Sequence, residues 1–311
     1  MRYIVFLFCI FPLVTFANNL TLDDALRATY VACVGIDDEL TDLKKMAGIN
    51  TAITAVGTAA GAGATVTGLV KADKDKQIEK LQMQKLQKIE ESKINTVLSN
   101  GKLADNLAAL ERYYQEHKND AHEDIDTEID KLTYQSKKLG NWRTGLVAGT
   151  TATNVAGAII AGKNKVQGDL KAQIDNCISS VANLRHSMMQ ARINGEDVSE
   201  AEAIASACGE YEYVDISKIN TKAKGAMISS AVGATTGLAG TVVSAAANTD
   251  KTRNNDSVSG KQKEKNLNTA ANVLAAGTTA ASATATVFNA SQISAVKKAV
   301  AVAEQCTKVL K

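Results

Sequence analysis

The sequence predicts an all-α protein made of two tandem, disulfide-clamped antiparallel helical hairpins, with a coiled-coil arm inserted at the tip of the first. Three observations lead there: the near-absence of proline, the scarcity of aromatic residues, and an internal repeat bracketed by cysteines. Pro12 is the only proline among 311 residues, where average usage of about 5% would supply more than a dozen. Proline breaks helices but is common in turns, so its absence suits long helices joined by few, short connections. Aromatic residues, which fill strand-rich cores, make up only 4% of the chain.

Residues 1–17, MRYIVFLFCIFPLVTFA, read as a secretory signal: one basic residue at Arg2, an apolar run from Tyr3 to Val14, then Thr15-Phe16-Ala17 with small residues at the two positions a signal peptidase inspects. Cleavage is expected after Ala17. An uncleaved anchor is the alternative, disfavoured because the run is short for a membrane span. Without Arg2 the chain carries 34 basic against 33 acidic residues, a balance that steers it to no nucleic acid. Cys9 leaves with the signal, and Cys33, Cys177, Cys208 and Cys306 remain. An even number of cysteines in an exported chain favours disulfides, and their wide spacing disfavours a metal site.

The cysteines serve as rulers for the repeat. Cys33 is followed by Gly57 in Ala55-Val56-Gly57, and Cys208 is followed after almost the same interval by Gly233 in Ala231-Val232-Gly233. On the return, Gly149 precedes Cys177 and Gly277 precedes Cys306, again at nearly equal intervals and each inside an Ala-Gly-Thr-Thr-Ala stretch. At 1.5 Å per residue, about 24 helical residues climb about 36 Å and about 28 descend about 42 Å, so a hairpin returns the second cysteine near the first. The expected bridges are Cys33–Cys177 and Cys208–Cys306, one of three possible connectivities. The units so defined span 18–193 and 200–311. The linker 194–199 contains the turn pair Asn194-Gly195, and Ser199 with Glu202 has the spacing of a capping box, as Thr21 with Asp24 does near residue 20.

The two tips differ. In the second unit, residues 248–265 are polar and rich in turn formers and read as a loop. In the first, the insert 71–143 is strongly charged, with Leu103, Leu107, Leu110 and Tyr114, then Ile125, Ile129 and Leu132, at the spacing of a helical seam. Ser99-Asn100-Gly101 and Asn119-Asp120 are expected to break it. This is the coiled-coil arm, available for a protein partner or self-association.

Between arm and cysteines lie four stretches without a charged residue, 46–70, 144–162, 225–249 and 266–296. Their lengths meet or approach the roughly 20 residues of a membrane-spanning helix. Their composition of Ala, Gly, Thr and Ser is weakly apolar, so packing in water and embedding in a membrane are both open. Gly57, Gly61, Ala64 and Gly68 repeat at intervals of four, three and four, and Gly233, Gly237, Gly240 and Ser244 align with them. Glycine inside a helix costs about 1 kcal/mol relative to alanine, so such a stripe implies a close helix contact. The pattern is similar to the glycine-zipper segments of some membrane and pore-forming proteins, a likeness of pattern confined to these stretches.

Chemistry is not legible. His117 and His122 are five apart, which does not bring them to one helix face, and the acidic run Asp120, Glu123, Asp124, Asp126, Glu128 lacks the turn glycine of a calcium loop. No glycine-rich phosphate loop or nucleophile elbow is present, so no catalytic residue, cofactor or metal is expected. Trp142, beside Arg143, is either an interfacial anchor or a packing residue. The expectation is a non-enzymatic exported envelope protein with a structural or interaction role; the alternative is a secreted pore-forming protein inserting its small-residue hairpins into a target membrane.

Overall fold

The computed structural model describes residues 20–98, 123–166, 168–253 and 257–311. Residues 1–17, the expected breaks at Ser99-Asn100-Gly101 and Asn119-Asp120, the expected seam residues Leu103, Leu107, Leu110 and Tyr114, and His117 and His122 lie outside the described residues. All regular structure among the described residues is helical: α1 (Leu22–Cys33), α2 (Ile36–Leu98), α3 (Glu123–Lys163), α4 (Gly168–Ile193), α5 (Ser199–Gly209), a 3-10 turn (Glu210–Tyr213), α6 (Ile216–Ala247), α7 (Asp250–Arg253) and α8 (Val258–Leu310).

Helix ends follow local chemistry. Thr21 caps α1, its Oγ1 accepting from the Asp24 backbone N–H at 3.2 Å while donating to the Asp24 carboxylate at 2.7 Å. Helix α4 ends in a Schellman motif: Gly195 takes φ +77°, Glu196 N–H donates to Ala191 O at 2.9 Å and Gly195 N–H to Arg192 O at 3.1 Å. The box expected from Ser199 and Glu202 does not form. Helix α5 starts there without a side-chain bond from its cap residue Val198; instead Asp197 accepts from the Ser199 N–H at 3.0 Å, which holds its carboxyl below the usual range, and Glu202 pairs with Arg192 at 2.9 Å. The expected loop 248–265 is also shorter, because the chain is helical again from Val258. Lys261, Gln262, Lys263, Glu264 and Lys265 are polar but good helix formers, and nothing among them stops a helix.

The described residues form two compact units, and each draws on both sequence repeats. The first takes the residues up to Asp42, Val166–Ile216 and Lys297–Lys311. Its core is built on α4, where Leu170, Ile174, Cys177, Val181, Leu184, Met188 and Ala191 are buried at alternating steps of four and three. Ala25 and Cys33 of α1, Ile36 and Leu40, Ile204 and Cys208 of α5, and Val300 and Cys306 of α8 are buried in the same unit. Both bridges are here, Cys33–Cys177 and Cys208–Cys306. The sulfurs of Cys33, Cys177 and Cys306 lie within 4.8 Å of one another, so the two repeats share a single sulfur cluster.

The second unit takes Leu43–Lys165 and Ser217–Val296 and is a bundle of the central parts of α2, α3, α6 and α8. After Leu43, its buried positions on α2 are Ala47, Asn50, Thr54, Gly57, Gly61, Ala64, Gly68 and Lys71, stepping by three and four. That averages about 3.5 residues per turn, the period of helices winding around one another. The occupants are not the leucines and isoleucines such a seam ordinarily carries.

Candidate functional site

The bundle seam is the candidate site, and it is assembled from small residues that let backbones approach. A methyl group added at Gly61 would lie 2.5 Å from Thr279 Oγ1 and 3.2 Å from the Thr279 Cα on α8. At Gly57 it would strike the Thr153 hydroxyl of α3, and at Gly68 it would meet Asn272 and, at 3.2 Å, the Arg143 Cδ. The aligned stripe on α6 behaves alike: Gly233 faces Asn154 of α3 with 2.5 Å to its Nδ2, Gly237 faces Thr151, and Gly240 sits 3.2 Å from Leu274 Cβ and 3.3 Å from Val147 Cγ1. Ala64 and Ser244 are fully buried. Gly149 and Gly277, useful as rulers, meet nothing within 4 Å.

Between the glycines, polar side chains bridge helices as rungs. Asn50 Nδ2 donates to Asn289 Oδ1 at 2.9 Å, and Asn289 Nδ2 donates to Thr54 Oγ1 at 3.3 Å. Ser282 Oγ donates to Asn154 Oδ1 at 2.9 Å, Thr278 Oγ1 to Thr236 Oγ1 at 3.1 Å, and Gln292 Nε2 to the Asn164 carbonyl at 2.6 Å. Pairing offsets part of the cost of burying these groups and fixes the register of the helices that share them, while Asn50 Oδ1, Asn154 Nδ2 and Gln292 Oε1 are buried without a hydrogen-bond partner. The asparagines and glutamine are invisible to a search for chemistry. They were findable, since Asn50, Thr54 and Lys71 fall on the same three-four steps as the glycines.

The glycine-and-rung region ends in a buried cationic cluster. Arg143 is fully buried; its Nε donates to Ser244 Oγ at 3.0 Å, Nη1 to Asn272 Oδ1 at 2.9 Å and Nη2 to Asn268 Oδ1 at 3.0 Å. Three fixed donors thus tie α3 to α6 and α8. Lys71 is 1% exposed and bonds Asp75 at 2.6 Å, while Ser136 donates to the other Asp75 oxygen at 2.5 Å. Burial lowers the Lys71 pKa against the opposing pull of Asp75, and burial raises that of Glu264. Farther along, Lys85 pairs with Asp126 at 2.5 Å, linking α2 to α3. The Arg143 guanidinium and the Lys71 ammonium are held by partners within the protein, which makes the cluster a helix tie more than a binding pocket.

The outer surface of the bundle is apolar. Val56, Val66, Leu69, Val155, Ile159, Val232, Leu238, Val242, Val273 and Val287 are all exposed, Val242 at 68% and Val66 at 58%. Hydroxyls on that surface are satisfied within their own helix: Thr67 donates to Gly63 O at 2.7 Å, Thr235 to Ala231 O at 3.0 Å, Thr241 to Gly237 O at 2.8 Å and Thr284 to Ala280 O at 2.9 Å. Back-bonding of this kind leaves the methyl group facing out. Trp142 is 61% exposed and lines a shallow surface patch with Asn141, Gly145 and Leu146, so it is not a packing residue. Among the described residues, three helical stretches, within Leu22–Lys88, Asp124–Ile193 and Ile216–Ala247, are long and apolar enough to cross a membrane. The stretch 266–296 carries Asn266, Asn268, Asn272, Asn289 and Gln292 and supplies polar rungs to the others. Comparison with known protein families, curated proteins and solved structures finds no match for this chain.

Proposed function

We propose that this chain is a non-enzymatic, exported cell-envelope protein whose disulfide-clamped helical hairpins embed in a membrane as one bundle, serving a structural or interaction role. The coiled-coil arm 71–143 is then the part offered to a protein partner or a second copy. One observation carries the reading: the bundle has mostly polar and small residues inside and many branched aliphatic residues outside. In water this arrangement would leave a large contiguous apolar surface uncovered, whereas a lipid solvent covers it without cost.

The dimensions agree. Arg143 and Lys163 bound the uncharged part of α3, and the roughly 20 residues from one to the other rise about 30 Å at 1.5 Å per residue, which equals the usual hydrocarbon thickness. In lipid each hydroxyl needs an internal partner, and the outward threonines have one. Trp142, exposed at the boundary beside Arg143, suits an interfacial anchor. The two disulfides fit an oxidising compartment, which supports export.

Membranes of the producing cell, washed with alkaline carbonate, test this. The protein should stay in the pellet and be released by detergent; complete release by carbonate would contradict membrane residence. The polar bundle axis favours a second reading, a secreted pore-former inserting small-residue hairpins into a target membrane. For that reading, purified protein added to dye-loaded liposomes should release the dye, whereas a resident bundle should not.

A further inference from the structure

The two ends of the bundle differ in the sign of their charge. At the end where α3 finishes, the bundle carries Lys44 and Lys45 of α2, Lys163 and Lys165 at and after the end of α3, and Lys218, Lys222 and Lys224 of α6. Lysines outnumber acids there: residues 43–50, 157–165, 217–230 and 289–296 include no aspartate or glutamate, and Asp42 and Asp215 flank them in sequence. The opposite end is of mixed sign, with Asp75 beside Lys71, Asp126 beside Lys85, and Glu264 between Lys263 and Lys265.

Helix register brings these lysines to one level. A methyl added at Gly162 would lie 3.5 Å from Met227 Sδ, and one added at Gly225 would lie 2.8 Å from the Phe288 ring, so these residues face each other across the bundle. Gln292 reaches the Asn164 carbonyl, and Asn50 reaches Asn289. Lys44, Lys163, Lys165, Lys222 and Lys224 therefore fall within about one helical turn, about 5.4 Å, of a common plane. Lys163 and Lys224 are exposed, whereas Lys44, Lys165 and Lys222 are half-buried along their stems. The Lys222 ammonium lies 5.6 Å from the centre of the Phe288 ring, its stem on apolar surface. Lysines so placed at the edge of an uncharged slab reach outward to the level of lipid phosphates.

We infer that this lysine collar binds the phosphates of anionic glycerophospholipids and thereby sets the depth of the bundle in its membrane, an inference that rests on the membrane reading above. The test uses the full chain in neutral detergent micelles, with the thermal midpoint followed by circular dichroism. Phosphatidylglycerol should raise the midpoint, and phosphatidylcholine and free glycerol phosphate should leave it unchanged. Added salt should shrink the rise, because exposed charges are screened within about 10 Å at 0.1 M. The variant K163Q/K165Q/K222Q/K224Q should keep the parent midpoint in pure micelles and lose the response to phosphatidylglycerol. Equal responses to the two lipids, or an undiminished response in the variant, would overturn the collar; a response to glycerol phosphate as large as that to phosphatidylglycerol would overturn its lipid assignment. A chain that reconstitutes into phosphatidylcholine bilayers yet ignores phosphatidylglycerol loses only the collar, whereas one that enters neither bilayer loses the membrane reading and the collar with it.

Discussion

The two compact units solve the problem of holding helices together in opposite ways. In the disulfide unit, α4 presents Leu170, Ile174, Val181, Leu184 and Met188 inward, an ordinary amphipathic seam that buries large side chains around a sulfur cluster. In the bundle, the inward positions hold Gly61, Ala64, Ser282 and Asn289 with a few large side chains such as Val147 and Val296, and many of the valines and leucines point out. Both seams step by three and four residues, so geometry alone does not separate them. What differs is the solvent each surface suits: the first gains by removing apolar area from water, the second by close backbone packing and internal hydrogen bonds that need no water to drive them.

Truncation should therefore cost most in the disulfide unit. Ile174→Ala removes a fully buried side chain and is expected to destabilise by about 2–5 kcal/mol, read as a lowered thermal midpoint. The same truncation of an outward bundle residue, Val242→Ala, should change stability in detergent by less than about 0.5 kcal/mol. Comparable losses at both positions would erase the contrast.

Enlargement should cost most in the bundle. Gly61→Leu and Gly237→Leu force large side chains against Thr279 and Thr151, and overpacking of this kind costs about 1–3 kcal/mol. Gly61→Ala is the sharper probe. Helix propensity alone would stabilise by up to about 1 kcal/mol, but the new methyl would sit 2.5 Å from the Thr279 hydroxyl, which is itself tied to the Ala275 carbonyl at 2.8 Å. The alanine variant should melt below the parent; a higher midpoint would mean that the stripe is not a tight contact.

The smallest effect expected is electrostatic. Glu264 has its pKa raised, chiefly by burial and also by Asp75, against the pull of Lys71, Arg253 and Lys261. A raised carboxyl means that the charged form is less favourable folded than unfolded, so its cost is present above the folded pKa and fades as pH falls to the ordinary value. Glu264→Gln should accordingly be slightly more stable than the parent at neutral pH, with the difference closing as pH falls toward 4.5. Denaturant melts at the two pH values would show it; a difference that widened in acid would contradict the assignment.

Much of this was readable beforehand. Cysteine spacing pointed to the bridges because helical rise converts residue counts into distance, and missing prolines pointed to long helices. The glycine stripe was legible as a candidate contact surface because glycine in a helix interior costs stability that a close helix contact offsets. Its partners were not legible: Gly61 meets Thr279 of the other repeat, and nothing in a local period says which helix lies opposite. The inward asparagines were missed because a polar residue at a seam position reads as solvated surface until a partner such as Asn289 for Asn50 is seen. The cap of α5 was misread for a related reason, since the Asp197 carboxylate takes the Ser199 N–H that a Glu202 capping box would have used, and spacing alone does not say which one wins.

The inverted polarity of the bundle is most directly tested by asking what touches its outer surface. A spin label at Val242→Cys, a position 68% exposed, can be examined in reconstituted bilayers for collisions with oxygen, which concentrates in lipid, and with a water-soluble nickel chelate. The four structural cysteines are paired and leave the introduced thiol to react. High oxygen accessibility with little access for the chelate is the result the inverted bundle predicts; free access for the chelate at Val242 would place that surface in water and contradict it.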